Sequence, residues 1–171
     1  MFTDFENDPS HIFQALEEVG SAQRHTARGD TAARRRTLAL TLDFLATLEQ
    51  QIDPKWDPTA PVRRAPPRVP DLPVNPRGEI DPAQISDPET RARYEQELKV
   101  IKDNLKHRSA QLELRRIEEH ATDHLKLFVE RSYTGSSEDR HEFEELLEAS
   151  SLSDARKKSL RKLVKPRLWP F

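Results

Sequence analysis

Nine of the thirteen prolines in this 171-residue chain fall within residues 54–82. Proline lacks a backbone N–H and clashes with the preceding helical turn. The run can therefore form neither regular helix nor a central strand. The segments on either side carry helical periodicity. The chain is thus divided into a helical N-terminal part, an extended crossing and a long helical C-terminal part.

The crossing is not ordinary flexible linker. Trp56, Val62, Val69, Leu72, Val74 and Ile80 recur through it. Proline has already restricted the backbone, so ordering this run loses less entropy than ordering a glycine linker. The expectation is that it lies across the helices with Trp56 as an anchor. The alternative is a peptide-like ligand for a polyproline-recognising module, because residues 61–70 hold the prolines and arginines such a module takes.

On the N-terminal side, Ile12, Phe13, Leu16 and Val19 follow Pro9 and Ser10 at helical spacing. This helix ends at Gly20 or persists toward Thr26. Asp30 or Thr31 can cap the next helix, residues 31–53, which Pro54 stops. Its apolar face holds Leu38, Leu42, Leu45 and Leu48, widened by Leu40, Phe44 and Ile52. Arg34, Arg35 and Arg36 sit in its first turns, where they oppose the helix dipole. Either they pair with acids elsewhere or form a solvated collar, or they offer an anion or partner site.

On the C-terminal side, Asp81-Pro82 and Asp87-Pro88 each place a capping carboxylate before a proline suited to a first helical position. Asp81 opens one short turn ending near Ile85, and Asp87 opens the main helix. Residues 89–132 contain neither glycine nor proline. Tyr94, Leu98, Ile101 and Leu105 are close to a heptad, Arg108 interrupts it, and the phase resumes at Leu114, Ile117, Ala121, Leu125 and Phe128. Forty-five residues of helix would extend about 67 Å, and a break at residues 106–109 is the alternative. Ser136 then caps a helix burying Phe143, Leu146 and Leu147. Ser151 or Ser153 caps a last helix carrying Leu160, Leu163 and Val164.

With hydrophobic residues at 35% and charged residues at 34%, the chain suits amphipathic helices that each bury one stripe. The expected fold is all-α: an antiparallel bundle of about four main helices with a proline-rich extended crossover. Residues 1–171 form a single helical domain, in which 54–86 is the crossover and 152–171 a basic C-terminal helix with an aromatic tip. The long helix is a surface on which two copies could pair.

Several chemistries are excluded. Without cysteine there is no disulfide, thiolate ligand or thiol nucleophile. Only four glycines are present, and none forms a phosphate-gripping loop, so no nucleotide cofactor is expected. No stretch reaches the apolar length of a membrane-spanning helix, and the first twenty residues lack a signal-peptide pattern. The expectation is a soluble, cytoplasmic protein with no integral-membrane part. The net charge of −2 gives the whole molecule no reason to bind nucleic acid.

Two constellations carry functional readings. His120 and His124 share a helix face and could reach one metal ion, with a third ligand from His25, Glu49, Glu97 or Glu145. The plain reading is of ordinary surface histidines. The second is the C-terminal block of Arg156, Lys157, Lys158, Arg161, Lys162, Lys165 and Arg167, followed by Trp169 and Phe171. Such a helix can fold back on the acidic segment 138–148. It can also dock on a protein partner, or on nucleic acid or an acidic membrane. The balance of readings favours a non-catalytic protein–protein interaction or adaptor module without a cofactor. Trp56, Arg156, Lys157, Arg161, Trp169 and Phe171 are its expected partner contacts. A metal-binding bundle centred on His120 and His124, and a nucleic-acid or acidic-membrane binder, are the alternatives.

Overall fold

A computed structural model describes residues 10–26, 29–133 and 135–164. Five α-helices and two short 3-10 turns account for its regular structure, and no strand occurs among the described residues. The helices are α1 (Ser10–His25), α2 (Thr31–Gln51), α3 (Pro88–Ser132), α4 (Ser137–Ala149) and α5 (Asp154–Leu160). Helix α1 runs through Gly20 to His25, so that glycine is not its stop.

Capping chemistry sets most of the helix starts. Asp30, Ser136 and Ser153 each accept a hydrogen bond from the backbone N–H three residues on, which satisfies a donor the helix itself leaves free. Asp87 does the same for Thr90, by both its N–H and its hydroxyl. Asp81 accepts from the N–H of Ala83 and opens the 3-10 turn Pro82–Gln84. Helix α3 is continuous over 45 residues. The alternative of a break at 106–109 is not realised, because no proline or glycine there removes a backbone donor or loosens the chain.

The chain forms two compact units. One comprises residues 1–54 and 113–171, the other residues 55–112, so α3 gives residues 113–132 to the first and 88–112 to the second. The first unit holds the larger core. Ile12 and Val19 of α1, Leu38, Leu42, Leu45 and Leu48 of α2, and Ile117, Leu125 and Phe128 of α3 meet there with Phe143 and Leu147 of α4. Leu152 and Leu160 join them from the C-terminal side. The polar Thr41 is fully enclosed in α2 and is satisfied: its hydroxyl donates to the carbonyl of Thr37 (2.8 Å) and accepts from Gln23 (3.1 Å). Leu40, expected to widen the apolar face of α2, is 39% exposed.

The second unit is built differently. Ile80, Ile85 and Tyr94 form its buried centre, with Val69, Leu72, Val74 and Leu98 packed around them. The Tyr94 hydroxyl accepts from the N–H of Ile80 (2.7 Å), and Arg91 donates twice to the carbonyl of Ile85. These bonds replace the ladder or helix that a proline-rich backbone cannot make. Arg108, which interrupts the heptad, donates to the carbonyl of Pro58 (2.9 Å), and its guanidinium lies 5.7 Å from the Trp56 ring centroid. The tight turn at 75–79 needs a positive φ, supplied by Gly78, and the Asn75 side chain accepts from the N–H groups of Arg77 and Glu79.

Candidate functional site

The densest polar chemistry lies where α2, α4 and the end of α3 meet. Arg34 enters α2 in its first turns, where the dipole disfavours a cation. It is held there by charge from α4. Its guanidinium donates to Asp139 (2.9 Å), to Glu142 (2.6 Å) and to the carbonyl of Ser132 (3.0 Å). The Tyr133 ring lies 4.2 Å from the same guanidinium, and Phe143 meets Tyr133 edge-on. Burial works against the Arg34 cation, but the hydrogen bond it donates to Asp139 and the field of the neighbouring Glu142 outweigh it and raise its pKa. Burial, with Glu142 alongside, pushes the Tyr133 hydroxyl up as well. Arg35 forms a two-pronged pair with Glu145, and that hydrogen bond holds the Glu145 carboxyl below its ordinary value. Of the readings open for this arginine run, pairing with acids elsewhere is what Arg34 and Arg35 do.

The basic C-terminal segment is likewise met by acids. Arg156 donates to the Thr122 hydroxyl (2.6 Å) and pairs with Glu118 (3.3 Å), both on α3. Lys157 is nearly enclosed and donates to the carbonyl of Glu148 (3.1 Å). Arg161 pairs with Glu144 (2.8 Å) and Glu148 on α4, and its side chain stays 40% exposed. The hydrogen bond that Arg161 donates to Glu144, against the cost of desolvation, raises its pKa. The α5 cap is itself anchored: Ser153 donates its N–H and its hydroxyl to Glu49 of α2. Lys158 and Lys162 are exposed.

A shallow cleft of about 420 Å³ opens beside these groups, lined by Arg140, His141, Phe143, Glu144, Arg161 and Val164. It mixes an apolar floor with charges of both signs. A second, smaller cleft of about 240 Å³ lies between α1 and α2, against Thr26, Arg36 and Leu40.

The other expected site residues are placed as follows. Trp56 is half-buried under Arg108. Trp169 and Phe171 lie outside the described residues. His120 is exposed and His124 half-buried on α3. Among the described residues, no group of three histidines, aspartates or glutamates is gathered so as to hold a metal ion. No described helix is long and apolar enough to cross a membrane. The polar cluster of Arg34, Tyr133, Asp139 and Glu142 is not legible as a unit in the sequence. Its signal was there in part: three arginines at a helix start need acids, and the chain has one acidic block to supply them. No protein-family model, no curated protein and no solved structure matches this chain.

Proposed function

We propose that this is a non-catalytic protein–protein interaction module whose contact surface is the α4–α5 face and the segment that follows it. The observation that carries this reading is the open cleft at the base of the C-terminal segment. Exposed Arg161 and Glu144 rim it, while Phe143 and Val164 give it an apolar floor. An open, mixed surface of this kind fits a protein side chain or loop better than a small substrate, which calls for an enclosing pocket with converging polar groups.

Within this reading the expected contacts divide into two roles. Arg161, Trp169 and Phe171 touch the partner, with Lys158 and Lys162 adding charge. Arg156 and Lys157 fix α5 through Glu118, Thr122 and Glu148. Trp56 belongs to the other unit and would make a separate contact. The helices form an antiparallel bundle of about four members, and residues 54–86 are the crossover between its helical stretches.

The test compares capture of partners by the full chain, by Arg161→Glu and by a chain lacking residues 165–171. Deleting the whole of 152–171 is unsuitable, since Leu152 and Leu160 belong to the core. A partner held by the full chain and lost from both variants, at unchanged circular dichroism, supports the reading. Equal capture by all three proteins ends it.

A further inference from the structure

Helix α1 carries charge that its own fold leaves unanswered. Gln14, Glu17, Glu18, Ser21, Arg24 and His25 are spaced three and four apart and fall on one side of it. Ser21 is half-buried and the other five are exposed. The opposite side holds Ile12, Ala15 and Val19, which are closed into the core. Among the described residues, none of Glu17, Glu18, Arg24 and His25 makes an ion pair. The helix cannot pair them with each other. Glu17 to Arg24 and Glu18 to His25 are each seven positions apart, two full turns, whereas side chains meet across three or four. The acids precede Ser21 by four and three positions, and the bases follow it by three and four. The face is therefore antisymmetric about Ser21, acid on one side and base on the other.

We propose that this face of α1 is self-complementary and that two copies of the chain associate through it, antiparallel, as an isologous dimer. Turned end for end about a two-fold axis beside Ser21, the second copy presents bases where the first presents acids. Glu17 then faces Arg24 of the second copy, Glu18 faces its His25, and each contact occurs twice. Parallel pairing would instead set acid on acid. The flank of the same face fits this arrangement. A cleft of about 240 Å³ lies between α1 and α2, lined by His25, Arg36 and Leu40. Leu40 is 39% exposed, and Arg36 is exposed and makes no ion pair among the described residues. Glu18 of the second copy arrives beside this cleft, where Arg36 adds to the charge of His25, and the second helix covers Leu40. Exposed ion pairs add modestly, so they fix orientation more than strength. One helix and the edge of another make a small interface, and the expected affinity is micromolar or weaker. The long helix is the poorer candidate for self-association: Val100, Leu112 and Leu127 are exposed on it singly, without a contiguous stripe. This inference goes beyond the α4–α5 reading and stands on different residues.

The experiment is sedimentation equilibrium of the full chain over roughly 10 μM to 1 mM. The expected result is a reversible monomer–dimer equilibrium that weakens as salt is raised. Arg24→Glu with His25→Glu should weaken it at least tenfold, and so should Glu17→Lys with Glu18→Lys. Mixed one to one, these two double variants should associate within about threefold of the parent affinity, because each supplies the charge the other lacks. All four positions are exposed, so both variants should keep the parent's helical circular dichroism. Arg161→Glu should dimerise as the parent does, which separates this face from that of α4 and α5. The proposal is overturned if the parent chain stays monomeric throughout that range, or if either double variant dimerises within twofold of the parent. It is also overturned if the mixture of the two variants stays monomeric.

Discussion

Arg34 is the side chain on which most separate segments converge. One guanidinium joins α2 to the last carbonyl of α3 and to two carboxylates of α4. Its side chain is 19% exposed, and those of its acids 10% and 11%, so water screens the pairs little. Truncation would remove the guanidinium that lies between the neighbouring carboxylates of Asp139 and Glu142. Arg34→Ala should destabilise the first unit by about 2–4 kcal/mol in urea unfolding. Adding Glu142→Gln to that variant should recover part of the loss by removing one orphaned charge. Leu125→Ala, at a fully enclosed position, should cost about 2–5 kcal/mol by opening a cavity. Acid acts at other residues. Arg35 holds the Glu145 carboxyl below its ordinary value, and Thr90 does so for Asp87. The folded chain thus binds fewer protons than the unfolded chain just below pH 4.5. These contributions are complete above about pH 5, and they fade as pH falls through the lowered folded values. Asp87→Asn with Glu145→Gln should flatten the acid limb of a stability–pH curve below about pH 5.

At the scale of elements, local chemistry governed what could be read in advance. Pro54, Asp81-Pro82, Asp87-Pro88, Ser136 and Ser153 each carry a stop or a cap, and the helix boundaries follow them within a residue or two. The apolar stripes of α1, α2 and the second half of α3 were legible for the same reason: helical spacing alone puts them on one face. The continuity of α3 was harder, because Arg108 breaks the stripe without breaking the backbone. Its role became visible only with Pro58 and Trp56, fifty residues and more away in sequence. The pairing of Arg34 with α4 was illegible in detail for a related reason, since composition gives charges but not the acid each arginine meets. The candidate site divides along the same line. The basic block was plain in sequence, but its internal partners Glu118, Thr122, Glu144 and Glu148 were not. Caps make a clean element-scale test. Ser136→Ala should cost about 1 kcal/mol in thermal or urea unfolding, whereas Ser136→Asp should be close to neutral.

The whole molecule holds two units of unequal core. Among the described residues, the buried apolar cluster of the first unit has twenty members and that of the second has three. Opening free energy rises with buried apolar contact, so hydrogen exchange should separate them. Amides of α2 and of residues 113–132 should exchange more slowly than those of residues 89–105. Ile80, whose N–H is bound by Tyr94, should be slower than its neighbours. Equal protection across α3 would count against separate opening. The first unit is also discontinuous along the chain, residues 55–112 being inserted between its two parts. Arg34 finds its counter-charges 105 and 108 positions later. A ribosome adding about 5–20 residues per second needs several seconds to produce that stretch. For much of that interval α1 and α2 wait with the faces that α3 and α4 will cover left bare. Chaperone demand during birth should therefore peak before residue 139 appears, and a premature stop upstream of it should yield a fragment that clumps rather than folds.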